Sequence, residues 1–501
     1  MVRILNTKQI KALDAHTIEH EPVKSIDLME RACRAFVNWF VQRIDATKKI
    51  GIVCGTGNNG GDGLGIARML HDWGYPVKVW IVRGLVPESA DFKTNLERIK
   101  GEPEIADIIT ESDKGLFTDR DVLIDAIFGS GLSRPADGIY AQAIRCMNET
   151  DAMRIAVDIP SGLLADNPSS GDIIKAHYTV SFQIPKLAFF FPHSHPFTGE
   201  WTTVDIGLHK DFIRQSETSH FLVTAKDITR IIRPRKRFDH KGTFGHALII
   251  AGGYGKMGAA LLASAAALRS GPGLLSVHVP KSGYTILQTA LPEAMASIDT
   301  HEHFFTEAPS LEKYSTIGIG PGIGQEPATV KALAQVLANF KAPLVIDADA
   351  LNILGVNPEL MKRIPENSIL TPHPKEFERL AGKWDNDFQR LEKQKRLASE
   401  LKCVVVLKGA YSSIATPDGK VYFNPTGNPG MAKGGSGDVL TGILTGLLAQ
   451  GYSAEETALA GVYLHGLAGD IGSREKGTFS LIATDLVEFL PQSFKTVLNK
   501  F

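Results

Sequence analysis

Cysteine is scarce in this chain. Four occur in 501 residues, Cys33, Cys54, Cys146 and Cys403, and none has CxxC spacing. That argues against a disulfide framework or a thiolate zinc site and for a reducing cytosol. An excess charge of either sign is also lacking. The formal net charge is -1, so nothing favours nucleic acid or an anionic lipid surface. Long apolar runs are missing. The longest, such as residues 259–268, fall well short of the roughly 20 residues that cross a bilayer. The opening residues Met1-Val-Arg-Ile-Leu-Asn-Thr-Lys lack the basic-then-apolar form of a secretion signal. A cytoplasmic protein acting on small molecules is expected, with no membrane and no nucleic-acid partner.

Glycine, by contrast, is plentiful at 48 residues, which suits a backbone that approaches ligands closely. A length of 501 residues exceeds one hydrophobic core, so two or three domains are expected. Strand-like and helical segments alternate twice. The first round takes strands at 50–54, 77–82, 122–127 and 154–159, with helices at 63–73 and 141–147. Residues 1–45 read as helical, placed beside the sheet or at an oligomer contact. The second round takes strands at 246–251, 274–279, 315–320, 343–347 and 404–408, with helices at 258–270, 438–449 and 454–471. Such alternation implies parallel sheets covered on both faces. Between the rounds, residues 207–237 form the junction, and its basic end at 230–237 reads as solvated surface.

The most informative run is Asn428-Pro-Gly-Met-Ala-Lys-Gly-Gly-Ser-Gly-Asp438. Gly434, Gly435 and Gly437 leave amides bare at the mouth of an apolar helix, where a phosphate is favoured. Asp438 is the candidate general base for a hydroxyl receiving a phosphoryl group. The bland alternative for Asp438 is a helix cap. Further ligand-type loops sit at 252–258, 318–324, 371–377 and 407–412; His373, between two prolines, could equally be rigid loop structure.

Near the other end, Gly55-Thr-Gly57-Asn-Asn-Gly60 satisfies GxGxxG between a strand and a helix. A dinucleotide-binding loop is the plain reading. The ribose-binding acid about 20 residues on is absent, and the next strand ends at Arg83, so an NADP dehydrogenase is the runner-up. Asn58, Asn59 and Asp62 argue against a pyrophosphate there and for hydroxyls or a hard cation. Two more strand ends supply Asp125, followed by Gly129 and Gly131, and Asp158, followed by Ser161. Asn59, Asp125 and Ser161 are hard oxygen donors that could share a cation, which leaves Asp158 as an acid/base. For any one of these aspartates a turn or cap remains the competing role.

The strings Asn58-Asn-Gly-Gly-Asp62, Asp125-Ala-Ile-Phe-Gly-Ser-Gly131-Leu and Asp158-Ile-Pro-Ser161-Gly resemble the NAD(P)H-hydrate epimerase domain. The resemblance implies that Asn58, Asn59, Gly60, Gly61 and Asp62, with Gly129, Ser130, Gly131, Leu132, Ser133, Arg134 and Pro135, hold the nucleotide. It also implies a potassium ion at Asn59, Asp125 and Ser161, with Asp158 at the reacting centre. The second half resembles the ribokinase-like superfamily and, within it, the NAD(P)H-hydrate dehydratase domain. Here the resemblance implies that Lys408, Gly409, Ala410, Tyr411, Ser412 and Gly437 lie at the adenine nucleotide. It puts Ala259 (or Ala260), Gly322, His373 and Asp438 at the hydrated nicotinamide nucleotide.

The expected fold is therefore α/β in two layered domains. A Rossmann-like three-layer parallel-sheet domain is expected at 1–212 and a ribokinase-like domain at 222–498. The expected activity is repair of hydrated nicotinamide cofactor: epimerisation of its R and S forms, and dehydration of the S form at the expense of ADP. Magnesium is expected with the nucleotide, ADP rather than ATP as donor, and a homo-oligomer as the assembly. The rival class is a small-molecule kinase fused to a binding module.

Overall fold

A computed structural model describes residues 1–84, 87–99, 101, 103–108 and 116–498. It divides into two compact units, Arg3–Thr218 and the chain from Ser219 onward joined by Met1–Val2. The short β1 (Val2–Arg3) is an outer strand of the second unit's sheet.

The first unit carries β2 (Ile50–Cys54), β3 (Val77–Val82), β4 (Glu104–Ile108), β5 (Val122–Ala126), β6 (Met153–Val157), β7 (Tyr178–Phe182) and β8 (Glu200–Val204). They pair in parallel in the order β4-β3-β2-β5-β6-β7-β8. The order reverses at β2, where an open parallel sheet leaves a crevice at its carboxyl edge. Register sets Cys54 opposite Ala126 and Asp125 opposite Ala156, so successive strands end level. The loops after β2, β5 and β6 therefore share one edge. β2 and β5 are buried along their whole length, as strands covered on both faces must be. The helices Thr7–His20 and Ser25–Val41 occupy the stretch read as helical. The second packs Met29, Cys33, Phe36 and Phe40 against β2 and β3.

One helix begins earlier than its sequence predicts. It spans Asn58–Asp72 with Gly57 as N-cap, rather than starting at Gly63. Asn58 to Asp62 are thus its opening turns, and Asp62 lies inside the helix instead of at its mouth. Poor helix formers are held there by packing. A Cβ on Gly60 would stand 1.8 Å from the Gly55 carbonyl oxygen, and one on Gly63 would stand 2.6 Å from Cys54 Sγ.

The second unit carries β9 (His220–Leu222), β10 (His246–Ile250), β11 (Leu274–Val279), β12 (Met295–Ile298), β13 (Thr316–Ile319), β14 (Leu344–Ile346), β15 (Ile369–Leu370), β16 (Val404–Leu407), β17 (Ser413–Ala415) and β18 (Val421–Phe423). Their order is β1-β9-β18-β17-β16-β15-β14-β13-β10-β11-β12. The run from β12 to β16 is parallel, and β16-β17-β18 is an antiparallel meander. The meander and β9 were not legible as strands in the sequence. The basic segment after the helix Ala225–Ile231 is surface, with the Arg235 guanidinium over the Phe244 ring at 4.1 Å.

The helix Ser436–Ala449 is buried from Val439 to its end. It crosses Met257–Ser270 closely enough that a Cβ on Gly442 would meet the Ala263 carbonyl oxygen at 2.0 Å. Those small residues fix where the helix mouth, and so Asp438, comes to rest.

Candidate active sites

In the first unit the β5 carboxylate is sealed in. Asp125 is fully buried and accepts hydrogen bonds from the Ser161 amide at 2.7 Å and the Ser161 hydroxyl at 2.6 Å. The Ser161 hydroxyl also accepts from the Phe128 amide at 2.8 Å. Burial pushes Asp125 up to about 6, opposed only by hydrogen bonds from Ser161 and Ile127. No cationic side chain contributes. Asn59 is buried too, and its Nδ2 has no hydrogen-bond partner. Gly129 lies over it: a Cβ there would stand 3.2 Å from Asn59 Oδ1. The three hard-oxygen residues thus line neighbouring strand ends. A buried carboxylate with only neutral partners is the chemistry that a weakly charged monovalent cation would suit.

Asp158 follows β6 with φ +66, a left-handed backbone rare outside glycine. Its side chain is held by a lysine the sequence did not single out. Lys186, 1% exposed, places its ammonium on Asp158 Oδ1, on the Ser181 hydroxyl at 2.8 Å and on the Ile184 carbonyl at 3.2 Å. The Phe182 amide adds a bond to Asp158 Oδ1 at 3.2 Å. Burial alone would raise Asp158. The Lys186 charge, with bonds from Lys186, Phe182 and Ser130, outweighs that and holds the carboxyl below its usual range. Asp62 goes the other way. Burial first, then the charges of Asp158, Asp14 and Asp91, push it well above the carboxylate range. Arg83 is committed to Glu88 at 2.6 Å and Asp107 at 3.0 Å, a poor arrangement for a 2′-phosphate. Gly131 to Pro135 form an exposed to half-buried loop beyond Ser130.

In the second unit two strand ends, those of β14 and β16, converge beneath the glycine loop. Gly435, at φ +92, is the N-cap of the Asp438 helix, which disposes of a capping role for Asp438 itself. Asp347, 1% exposed, caps β14 and holds Lys408 Nζ at 2.8 Å and the Thr441 hydroxyl at 2.8 Å. A Cβ on Gly437 would stand 3.3 Å from Lys408 Nζ and 3.6 Å from Asp347 Oδ2, so the bare backbone lies close over this pair. Asp438 is pushed up to about 6 by burial first and by the Asp347 charge second, with Lys408 pulling against both. Asp347 and Thr441 are functional candidates the sequence reading missed. The Ala348 backbone, at φ +49, is the one local mark of tension beside them.

A cavity of about 510 Å³ opens beside this cluster. Lys408, Gly409, Ala410, Ser412 and Gly437 line it, and Tyr411 sits half-buried next to them. His465 also lines it and was not foreseen. Its Nε2 donates to the Ser436 carbonyl at 2.9 Å, and burial pushes it down to about 4, so the ring stays neutral. The Asn428 turn is anchored by Asp470, which accepts from Asn428 Nδ2 at 3.0 Å and the Gly427 amide at 3.0 Å.

The Gly322 backbone (φ +70) backs onto Ala259, whose Cβ would lie 3.4 Å from a Cβ on Gly322. Ala260 instead is fully buried toward Gly252, and Ala259 is half-buried. His373 is the N-cap of Pro374–Ala381. Its Nδ1 accepts from the amides of Lys375 at 3.1 Å and Glu376 at 3.2 Å, while half the side chain stays exposed. The rigid-loop reading of His373 therefore holds for Nδ1, while Nε2 lies 3.3 Å from Oε1 of the buried Glu376.

Comparison with known proteins matches both units of the chain. The family described as NAD(P)H-hydrate dehydratase matches residues 247–492, and the family described as YjeF-related protein N-terminus matches residues 25–188. A bifunctional NAD(P)H-hydrate repair enzyme of Moorella thermoacetica is 37% identical over 97% of this chain and 96% of its own length. One from Thermofilum pendens is 35% identical over 100% and 98%. One from Escherichia coli is 36% identical over 88% and 84%. The crystal structure of an ADP/ATP-dependent NAD(P)H-hydrate dehydratase from Bacillus subtilis, co-crystallised with ATP/Mg2+, superposes with a TM-score of 0.50 at 36% identity. It covers 55% of this chain and 98% of its own. No described helix is long and apolar enough to cross a membrane. The chain belongs to the family of bifunctional NAD(P)H-hydrate repair enzymes.

Proposed function

We propose that this protein returns hydrated NADH and NADPH to the working cofactor, with one chemical step in each unit. The second unit phosphorylates the ring hydroxyl of the S hydrate and eliminates the phosphate. The first interconverts the R and S hydrates so that both are recovered. The observation that carries this reading is Asp438 at a glycine helix mouth, beside the Lys408–Asp347 ion pair and an adjoining cavity.

Asp438 takes the hydroxyl proton as the hydroxyl oxygen attacks the terminal phosphoryl group. A base held near 6 is ionised at neutral pH and still accepts a proton readily. The amides of Gly435, Ser436 and Gly437 and the Lys408 ammonium stabilise the transferring phosphoryl group. The ring nitrogen's lone pair then expels phosphate, and loss of the neighbouring ring proton gives NAD(P)H. Lys408 to Ser412 hold the nucleotide, while Ala259, Gly322 and His373 hold the hydrate. ADP is the favoured donor. Magnesium, when bound, supplies charge neutralisation to the donor's phosphates. In the first unit, residues 58–62 and 129–135 hold the hydrate, and Asp158 exchanges a proton with it. Asn59, Asp125 and Ser161 would hold a potassium ion, which supplies a fixed positive charge for the nucleotide.

The test supplies pure S hydrate with ADP and follows reduced-cofactor absorbance together with free phosphate. Both should appear in equal amounts. A stable phosphorylated product without absorbance gain would make the protein a kinase and overturn the reading.

A further inference from the structure

Resting on the epimerase reading of the first unit, we infer that Asp14 is a second proton-transferring carboxyl there, working as the acid partner of Asp158. The helix Thr7–His20 is tied to the pocket's own loops. The Thr7 amide donates to Asp166 at 2.8 Å, in the loop that follows Asp158 and Ser161. Leu13, fully buried, packs in one cluster with Ile184, two residues before Lys186. The Thr17 hydroxyl accepts from the His209 amide at 3.0 Å and fixes the helix's far end. Asp14, next to Leu13 on this anchored helix, lies within electrostatic reach of Asp158 and Lys186.

Asp14 is partly buried, and no hydrogen bond or ion pair to its carboxyl is recorded among the described residues. Burial first, then the charge of Asp158, push it up to about 6, with Lys186 opposing. Asp62 also faces this group, and Asp91 stands beyond it. A half-buried carboxyl with no bonding partner, next to other carboxyls, costs stability and gives the fold nothing in return; such costs gather at working sites. Two neighbouring carboxyls whose proton affinities are pushed apart, Asp14 upward and Asp158 downward, are the arrangement that acid–base chemistry needs.

The step balances as follows. Asp14 gives its proton to the ring hydroxyl, the carbon–oxygen bond breaks, and water leaves as the ring nitrogen's lone pair forms a carbon–nitrogen double bond. Water adds to the other face of that carbon, the double-bond pair returns to nitrogen, and the water's surplus proton passes to the Asp158 carboxylate. The two carboxyls have exchanged states, and proton exchange with solvent restores them.

The test uses the full chain with Asp14→Asn and Asp14→Glu. Conversion of R hydrate to S hydrate is followed from pH 5 to 9, with the spontaneous rate subtracted. The wild type should fall in kcat/KM as pH rises past about 6. Asp14→Asn should lose about 100-fold and that alkaline limb with it. Asp14→Glu should restore part of the rate with a shifted limb. Dehydration of S hydrate and the melting temperature should not fall. An Asp14→Asn enzyme with wild-type rate and limb overturns the inference. So does one whose rate falls with an unshifted limb and a lower melting temperature, since that is a structural role. If Asp158→Ala also keeps full epimerisation, the reading of the whole unit fails; if only the Asp14 variants are silent, that reading stands.

Discussion

The two pockets use the same parts, one aspartate and one lysine beside the carboxyl edge of a sheet, and tune them in opposite directions. In the first unit Lys186 sits directly on the working aspartate and holds Asp158 ionised. In the second, Lys408 is already bonded to a different carboxylate, Asp347, so Asp438 feels burial and like charge and rises to about 6. Which carboxylate the lysine touches decides the proton affinity. Sequence proximity does not, because Lys186 lies 28 residues from its partner and Lys408 lies 61 residues from Asp347.

The sharpest break in the comparison is removal of each aspartate. Asp438→Ala should lower dehydration of S hydrate by at least about 1,000-fold while epimerisation stays at the wild-type rate. Asp158→Ala should do the reverse. Separate assays with pure R and S hydrates check this. A parallel fall of both activities in a folded variant would mean that the division of labour is wrong.

Next in size is Lys186→Met. It leaves Asp158 buried without its cation, which costs about 3–5 kcal/mol when one partner of a buried pair is removed. The wild-type Asp158 carboxyl lies below its unfolded value, so its contribution is present above the unfolded pKa and is lost as pH falls through the folded one. The variant's deficit in melting temperature should therefore be largest at pH 7 and shrink toward pH 3. Thermal unfolding across that range checks it.

Much of this was legible in the sequence, and the reasons divide cleanly. Alternating apolar runs and glycine clusters gave the two parallel sheets and brought Asp125, Asp158 and Asp438 to strand or helix ends, because those signals are local. Lys186, Asp14, Asp347, Thr441 and His465 were missed for a shared reason. Each is a single polar residue in an ordinary stretch, and only tertiary folding places it beside its partner. The late start assigned to the Asn58 helix has another cause. Intrinsic propensity argues against a helix at Asn-Asn-Gly-Gly-Asp, and the need for a bare Cα against the Gly55 carbonyl overrides it.

A smaller effect sharpens the pH contrast. Dehydration needs Asp438 ionised, so its kcat/KM should fall as pH drops through about 6. Because that folded value lies above the ordinary carboxylate value, ionisation of Asp438 opposes folding as pH rises from about 4 to about 6. Asp438→Asn should thus melt higher than wild type at pH 7 and equal to it near pH 3, while its activity is lost throughout. That crossing of stability against activity would identify a carboxyl kept for chemistry.

The subtlest test exchanges the partners. Asp347→Asn removes the carboxylate that occupies Lys408 and also one of the charges raising Asp438. Lys408 Nζ would then be free to turn toward Asp438, giving the second pocket the pairing that the first already has. Both changes push the Asp438 carboxyl down, so the acid limb of dehydration should move to lower pH by about one unit, even as the maximal rate falls. The Thr441 hydroxyl retains an acceptor in the asparagine oxygen, and Lys408, 22% exposed, keeps access to solvent, so the fold should lose less than it does in Lys186→Met. An unmoved limb would mean that burial alone sets Asp438, and that the lysine's choice of partner matters in the first unit only.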